Sequence, residues 1–521
     1  GHTASFDLTD GIELLAGELA YTTKAVSGWT ALEPELSVTW ETNPTFEPVE
    51  ITNDMKGKCN IVINAPAGIK AFTVSMLSDY LNNDIGLTEL DLLNPQGLET
   101  IFDMLNFPYG EKILNQKTVP FDLTNAVALL EGKSGQHIFT MNVTDNNNKT
   151  INQDITFFVP EAISATVSDI DLWKNTATIT LNNAPEGATV QYKRSTESEW
   201  KNTTKNPNGT FSITPSWITE ENDAGKTVYS LDNNCGVFAG ATYDWQILNG
   251  EAVVASGTFE TSAGDPIENG DMSQWCETKE MLPLFGSKKI TVWYPGSSWS
   301  DSTPGFWDSS NNAGNKTACT QDKTKNASCA WLQASGVSLV GALASGSLFT
   351  GTFTYANMNG TASFGQKYKY TARPTALRLK YHATLGTVNY NKHNGPLEKD
   401  KDIMDQCSFT VCIVDWDTRH DVQSGTSAPK GIWDPITMGE LPVDKQNGII
   451  GYGVKYSSEN TPGTDLIPLE IPIKYYQQTN AAPDGENKFT IIISVSTSRY
   501  GDYLNGCDKN KIYVDDFEWV Y

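Results

Sequence analysis

Short segments in which apolar and polar residues alternate recur along the whole chain, and clusters of turn-forming residues separate them. An apolar residue at every second position marks a strand with one buried face. Examples are GQHIFTMNVTD at 135–145, ATVQYKR at 188–194 and KFTIIISVS at 488–496. This rhythm predicts an all-β fold, because an amphipathic helix needs apolar residues at intervals of three and four.

The chain has 521 residues, which is more than one hydrophobic core normally serves. We expect three domains. Residues 1–161 are a predicted immunoglobulin-like β-sandwich with helical insertions, and residues 162–262 a fibronectin type III-like β-sandwich. Residues 263–521 contain about ten predicted strands with long loops, which favours a jelly-roll β-sandwich whose end strands meet.

One helical insertion is predicted in the first domain from a capping pair. Asn94-Pro95 is typical of a helix start, and apolar residues from Leu98 through Ile101 to Leu105 then fall on one helical stripe. A second short helix is predicted over 123–130.

The charge balance excludes some partners. The chain carries 62 acidic and 37 basic residues, a formal charge of −25, and so negative a surface repels phosphate backbones. No apolar run approaches the ~20 residues of a transmembrane helix. We therefore expect no nucleic-acid partner and no transmembrane segment. Residues 1–3 do not begin a charged and apolar leader, so we expect any export signal to have been removed.

The eight cysteines do not predict a metal site, because none forms a CxxC pair and only five histidines accompany them. Two interpretations remain open for Cys319 and Cys329. They form a disulfide that closes a loop, or they are buried free thiols.

Five sequence blocks in the C-terminal half carry a resemblance to a known family. They are ENGDMSQW (268–275), GFWDSSNNAG (305–314), GSLFTGTF (346–353), FGQKYKYTARPTALRLKYHA (364–383) and IYVDDFEWVY (512–521). Together they resemble the putative carbohydrate metabolism domain family over residues 265–521. The upstream segments are similar to immunoglobulin-like and fibronectin type III-like modules.

The resemblance implies a jelly roll related to carbohydrate-binding modules and a role in glycan utilisation by bacteria. It also implies export to the cell surface or periplasm, with a lipid anchor to the outer membrane. We therefore expect an exported protein whose jelly roll binds a polysaccharide or oligosaccharide on a stalk of two β-sandwich modules. The alternatives are a glycoside hydrolase that acts through a carboxylate pair, and a surface adhesin or structural protein.

A tryptophan-rich loop supplies the first candidate binding residues. Its rings offer flat apolar faces to a pyranose, and nearby polar side chains can hold hydroxyl groups. The candidates in this region are Trp293, Trp299, Trp307, Asp308 and Asn311. The alternative is that Trp293 and Trp307 are core residues.

The segment CIVDWDTRH supplies candidate catalytic carboxylates. On a strand, Asp415 and Asp417 face the same side with Cα atoms ~6.6 Å apart, which is compatible with glycoside hydrolysis. With Asp308 they are the catalytic candidates, and Trp416 between them is a candidate sugar contact. The favoured alternative is a strand end whose carboxylates are neutralised by Arg419.

Two further predictions concern charged side chains. Arg373 is a candidate contact to an acidic sugar, although a structural pair with a nearby Asp is favoured. Asp271, Asp515 and Asp516 meet if the end strands pair, and such a cluster suits a structural Ca²⁺. The alternative is that Asp271 caps the Asn269-Gly270 turn and that Asp515 and Asp516 are polar strand-end residues. Met272-Ser273 stands where carbohydrate-binding jelly rolls often have a glutamate ligand, and this departure from the family pattern argues against the metal. No other cofactor is expected.

Overall fold

The structure is a computed structural model of the chain. It describes residues 24–26, 29–31, 45–46, 50–51, 59–281, 290–300, 303–313, 318–337, 341–399 and 401–521. Side chains are described from residue 61 within these ranges, except 278–290 and 312–313. The chain divides into one compact unit of residues 1–164 with 182–184, and a second of residues 165–181 with 185–521.

The first unit is built mainly of strands. A six-stranded sheet has the order β1-β2-β10-β9-β6-β7, and a second sheet has the order β3-β5-β4 with β8 beside β5. The strands are β1 (Lys24–Val26), β2 (Trp29–Ala31), β3 (Thr45–Phe46), β4 (Glu50–Ile51), β5 (Cys59–Asn64), β6 (Ile69–Leu77), β7 (Glu89–Asp91), β8 (Thr118–Asp122), β9 (Gly135–Asp145) and β10 (Thr150–Val159).

The core of this unit contains the inward faces of both sheets, as alternation predicts. Phe139, Met141 and Val143 of β9 are all buried in it. A π-helical turn spans Tyr80–Ile85, and α-helices span Glu99–Leu105 (α1) and Thr124–Ala128 (α2). The predicted stripe on α1 is wrong at Ile101, whose side chain is 42% exposed, because the helix is only seven residues long.

The second unit contains all later strands. They are β11 (Ser164–Asp171), β12 (Thr176–Asn182), β13 (Thr189–Arg194), β14 (Lys201–Asn202), β15 (Thr204–Lys205), β16 (Phe211–Ile213), β17 (Trp217–Glu221), β18 (Thr227–Leu231), β19 (Thr242–Asn249), β20 (Ala252–Glu260), β21 (Trp275–Met281), β22 (Ile290–Pro295), β23 (Trp307–Asp308), β24 (Cys319–Asp322), β25 (Cys329–Gln333), β26 (Ser335–Val337), β27 (Ala342–Ala344), β28 (Ser347–Ala356), β29 (Asn359–Phe364), β30 (Ala376–Thr384), β31 (Tyr390–Asn391), β32 (Cys407–Trp416), β33 (His420–Gly425), β34 (Ile449–Ser457), β35 (Ile467–Pro472), β36 (Lys474–Tyr475), β37 (Phe489–Ser496), β38 (Asn505–Gly506) and β39 (Lys511–Val520).

The C-terminal half is a sandwich of two sheets. The larger has ten strands in the order β17-β18-β36-β34-β32-β37-β28-β29-β33, with β23 beside β28, and the smaller has the order β24-β25-β39-β30-β35. Their inward residues share one core, in which Val411 and Ile493 lie with Leu379 and Val514. The predicted all-β sandwich fold is confirmed. One further short helix, α3, spans Val443–Asn447.

Residues 164–260 contain a smaller pair of sheets, β11-β12-β16-β15 and β14-β13-β19-β20. The hairpin β17–β18 is not part of them, because Tyr229 in β18 pairs with Tyr475 in β36. It therefore extends the ten-stranded sheet of the C-terminal half. The division into three domains, and the immunoglobulin-like and fibronectin type III-like character of the first two, stay predictions.

The first turn of the C-terminal half lies against its last strand. The backbone N–H of Phe517 donates to the Gly270 carbonyl at 2.8 Å. A Cβ atom at position 270 would lie 2.3 Å from the Phe517 carbonyl oxygen. The Asn-Gly turn therefore depends on glycine for close backbone approach.

In the part of the chain that the structure describes, no helix has the length and hydropathy needed to cross a bilayer. The described cysteines carry free thiols. Cys319 pairs with Leu332 and Cys329 with Asp322 in one hairpin. Because two residue pairs lie between these two along the ladder, the disulfide interpretation is wrong and the free-thiol interpretation holds.

Candidate functional site

The outer face of the ten-stranded sheet lines a cavity of about 760 Å³, here called the groove. Strand alternation produces it. In β37, Ile493 and Val495 point into the core, whereas Ser494 and Ser496 face the groove. In β32, Ser408 faces the same way, and it pairs with Ser496 across the strands. Short hydroxyl side chains therefore form part of the floor.

Aromatic rings line the groove beside this floor. They come from β28, β29 and β34 and from two segments that border the groove, 431–440 and 498–504. The rings are Phe349, Phe353, Tyr355, Phe364, Trp433, Tyr456, Tyr500 and Tyr503. Phe349 is buried, but Phe353, Tyr355, Trp433 and Tyr456 keep partial exposure. A concavity with flat apolar surfaces and scattered hydroxyl donors suits a hydroxyl-rich ring compound.

Trp433 is held by other rings. Its centroid lies 5.6 Å from that of Trp416 and 5.9 Å from that of His420, both in edge-to-face geometry. The Nε2 atom of His420 lies 2.7 Å from the Gly431 carbonyl oxygen. These contacts hold the segment 431–440 against the sheet, so that the Trp433 ring lines the groove in a fixed orientation.

Five charged side chains also line the groove. Lys392 and Arg499 are basic, and Asp434, Glu440 and Asp502 are acidic. Asp434 accepts a hydrogen bond from the Thr437 hydroxyl at 2.6 Å. Asp502 is an exposed residue, and desolvation of its carboxyl raises its pKa to about 6.

The tryptophan-rich loop does not form the predicted sugar platform. Trp307 is completely buried, and its Nε1 donates to the Glu268 carbonyl at 2.7 Å. Trp299 is 8% exposed and stacks on Tyr294 with 4.0 Å between centroids. Sugar contact by Trp299 and Trp307 is therefore wrong. Trp293 is half-buried and lies outside the groove lining.

The polar candidates of this loop are also structural. Asn311 is buried, and its amide bonds the Trp293 carbonyl at 2.7 Å and the Cys319 carbonyl at 2.8 Å. Asp308 is buried, and its carboxylate accepts hydrogen bonds from the backbone N–H groups of Ser309 and Phe353. Desolvation raises the pKa of Asp308 to about 7 despite these bonds. Neither side chain is accessible to a sugar, so both predictions are corrected.

Asp415 and Asp417 lie on one side of their strand end, as predicted, but they face solvent. Lys488 Nζ lies 3.0 Å from an Asp415 oxygen and 3.9 Å from an Asp417 oxygen. The predicted neutralising residue is wrong, because Arg419 instead donates to the Gly365 carbonyl at 2.9 Å. Neither carboxylate lines the groove, and a catalytic role for this pair has no geometric support.

Trp416 and Arg373 are both buried. Trp416 Nε1 donates to the Lys445 carbonyl at 2.9 Å. Arg373 Nε donates to the Trp173 carbonyl at 2.7 Å, and its guanidinium lies over the rings of Trp173, Trp217 and Tyr475. Sugar contact is corrected for both residues. Arg373 is structural as favoured, although its partners are carbonyls and rings.

The three aspartates of the predicted calcium site have separate partners. Asp271 caps its own turn by accepting the Ser273 hydroxyl at 2.9 Å. Asp515 accepts the Asn326 amide at 2.6 Å, and Asp516 pairs with Lys380 at 2.8 Å. Among the described residues, no group of three or more His, Cys, Asp or Glu side chains could hold a metal ion. The donor set does not fit Ca²⁺.

Sequence reasoning missed the groove because its residues are scattered over more than 150 positions. A signal was present in two strands. Ser408 and Thr410 alternate with Phe409 and Val411, and Ser494 and Ser496 lie among isoleucine and valine. Hydroxyl residues on one face of two otherwise apolar central strands indicate a floor that is not packed by another layer.

The fold and the groove define an all-β protein whose C-terminal half is a carbohydrate-related β-sandwich domain. The profile of the putative carbohydrate metabolism domain matches residues 259–520, and the chain belongs to this family.

Solved structures similar to the chain include two crystal structures described as putative glycoside hydrolases. The one from Bacteroides thetaiotaomicron is 15% identical, with a TM-score of 0.31, and the match covers 65% of this chain and 98% of that one. The one from Bacteroides vulgatus is also 15% identical, with a TM-score of 0.31, and the match covers 48% of this chain and 96% of that one.

A third similar structure, of carbohydrate-binding modules from the β-sandwich superfamily, is 9% identical with a TM-score of 0.15. The match covers 93% of this chain and 100% of that one. None of the curated proteins matches the sequence.

Proposed function

We propose that the protein binds glycan in the groove of its C-terminal half. The observation that carries this proposal is the groove itself, a concavity of about 760 Å³ in which partly exposed aromatic rings border a hydroxyl-lined floor. The C–H face of a pyranose packs on such rings, while hydroxyl side chains bond its polar edge. Membership of a carbohydrate-related family supports the same ligand class.

Location and organisation complete the proposal. The protein is exported and held at the cell surface or in the periplasm as an outer-membrane lipoprotein, and residues 1–262 act as a stalk. The resemblance to the family supports this location. An adhesin that recognises protein is less well supported, because such a surface is broad and apolar rather than concave.

A glycoside hydrolase is the second candidate. It needs two carboxyl groups facing each other, one with a raised pKa. In the groove, Asp502 has the raised pKa, and the Asp434 carboxylate accepts hydrogen bonds from the backbone N–H groups of Ile436 and Thr437. These residues replace Asp308, Asp415 and Asp417 as the carboxylates to examine.

The test is binding to a panel of polysaccharides, followed by assay of reducing ends with every glycan that binds. We expect binding without release of product. Phe353→Ala and Trp433→Ala should each weaken binding at least tenfold, since both remove a ring from the groove. Trp293→Ala is the matched control, a half-buried tryptophan outside the groove, and should bind like the wild type.

Loss of binding in Trp293→Ala with retention in the groove variants would place the site in the tryptophan-rich loop and overturn the proposal. Release of reducing ends that Asp502→Asn abolishes would establish the hydrolase instead. Thermal unfolding of each variant separates lost binding from lost folding.

A further inference from the structure

The two basic side chains of the groove form no ion pair with an acidic side chain of the part of the chain that the structure describes. The ion pairs among the described residues include neither Lys392 nor Arg499. A cation that stays unpaired beside a cavity is available to a ligand.

Arg499 is held in a fixed orientation. Its Cζ atom lies 3.6 Å from the centroid of the Tyr456 ring and 5.0 Å from that of Tyr500. Its Nη1 donates to Gln406 Oε1 at 3.2 Å, and its backbone N–H donates to the Gln406 carbonyl at 2.5 Å. A guanidinium stacked in this way loses little further entropy when its remaining N–H donors bind a planar anion.

The acidic side chains of the groove differ in this respect. Asp434 and Glu440 belong to the segment 431–440 and bond its own backbone; Glu440 accepts the N–H of Ile432 at 3.2 Å. Backbone N–H groups of the same segment therefore already bind these two carboxylates. Asp502 lines the same groove, and it is in none of the ion pairs of the described residues.

We propose that the groove selects glycans that carry an anionic substituent, a carboxylate or a sulfate ester, and that Arg499 is the side chain that contacts it. A guanidinium presents parallel N–H donors that match either oxyanion, and charge-assisted bonds of this kind are stronger than those to neutral hydroxyls. Lys392 supplies a second positive charge at the rim. This inference rests on glycan binding in the groove.

The experiment compares matched polymers that differ only in charge. A uronic acid polysaccharide is tested beside its carboxyl-reduced form, and a sulfated polysaccharide beside its desulfated form, with neutral polysaccharides as a third arm. We expect an anionic polymer to bind at least tenfold more tightly than its neutral form. Whichever pair shows the difference distinguishes a carboxylate from a sulfate ligand.

Two variants of Arg499 then assign the contact. Arg499→Gln should lower affinity for the anionic polymer at least tenfold and leave affinity for its neutral form within twofold. Arg499→Lys, which keeps the charge but not the planar donor pair, should give an intermediate loss. Arg378→Gln, the same charge change on an exposed residue of the smaller sheet, should have no effect.

Three results would overturn the inference, and they differ in what they leave standing. Equal binding of charged and neutral polymers would remove charge selection but leave glycan binding intact. An equal loss for both polymers in Arg499→Gln would make Arg499 a positioning residue. Failure of every polymer to bind the wild type would remove the proposed function as well.

Discussion

The Cζ atom of Arg373 lies 4.4 Å from the centroid of the Trp173 ring, although 200 residues separate the two in sequence. Trp217 and Tyr475 contribute two further rings at 5.3 and 4.9 Å. Desolvation lowers the pKa of Arg373, and the three rings offset that cost by cation–π attraction. One buried cation thus joins residues before 262 to the C-terminal sandwich.

We expect Arg373→Met to destabilise the unit of residues 165–181 and 185–521 by about 2–4 kcal/mol. Methionine fills similar volume but leaves the carbonyls of Trp173 and Gln477 without their donors. Urea unfolding followed by tryptophan fluorescence measures the change. The control is Arg378→Met, whose ion pairs to Glu470 and Glu518 are exposed and contribute only about 0–1 kcal/mol. Equal effects of the two substitutions would contradict a special role for the buried site.

Gly270→Ala should destabilise the same unit by about 1–3 kcal/mol, because the added Cβ would lie 2.3 Å from the Phe517 carbonyl oxygen. Gly305→Ala is a matched control, since its Cβ would meet no atom closer than 3.5 Å. Thermal unfolding compares the two. A Gly270→Ala protein as stable as the control would show that the turn and the last strand can separate without cost.

The stability contributed by Asp308 should depend on pH. Its folded pKa of about 7 lies above its ordinary value of 3.8, so the folded state binds the proton more strongly than the unfolded state. The contribution is therefore fully present below pH 3.8 and is lost as pH rises through 7.

Asp308→Asn removes this titration. The melting temperature of the wild type minus that of the variant should fall by several degrees between pH 4 and pH 8, corresponding to about 2–4 kcal/mol. A difference that stays constant over this range would show that Asp308 does not titrate as the burial of its carboxyl requires.

Asp415→Asn and Asp417→Asn, made together, should change the free energy of unfolding by less than about 1 kcal/mol, since exposed ion pairs contribute little. Glycan binding should be unchanged, because neither residue lines the groove. Titration with a glycan that binds the wild type measures this. A tenfold loss of affinity would place the pair in the binding site.

The sequence was sufficient to predict strands and the family, because alternation and short motifs are local properties. It was not sufficient to predict burial in loops. Trp307 lies among mostly polar residues in the sequence. It nevertheless belongs to the two-residue strand β23, in which it pairs with Thr350 of β28, and its ring packs on that of Phe517 with 5.0 Å between the centroids. Such contacts depend on residues more than forty positions away, which no local pattern contains.

The residues of the groove could not be predicted from local sequence patterns either. Trp433 comes from the segment 431–440 and Tyr456 from β34, and the fold brings both to the groove that β32 and β37 line with hydroxyl side chains. The turn that carries Asp271 lies against the last strand, as predicted. The calcium site predicted there is wrong, because Asp516 is paired with Lys380 and Asp515 accepts a hydrogen bond from Asn326.

The family match begins at residue 259, whereas the ten-stranded sheet also contains the hairpin β17–β18, which lies before that residue. A truncated chain beginning at residue 263 would keep every strand of the smaller sheet but expose the edge of β36 at Tyr475, and it would leave Arg373 facing water where two indoles had been. Such a fragment should aggregate through that bare edge. Expression of the carbohydrate-related half by itself therefore requires a start near residue 165.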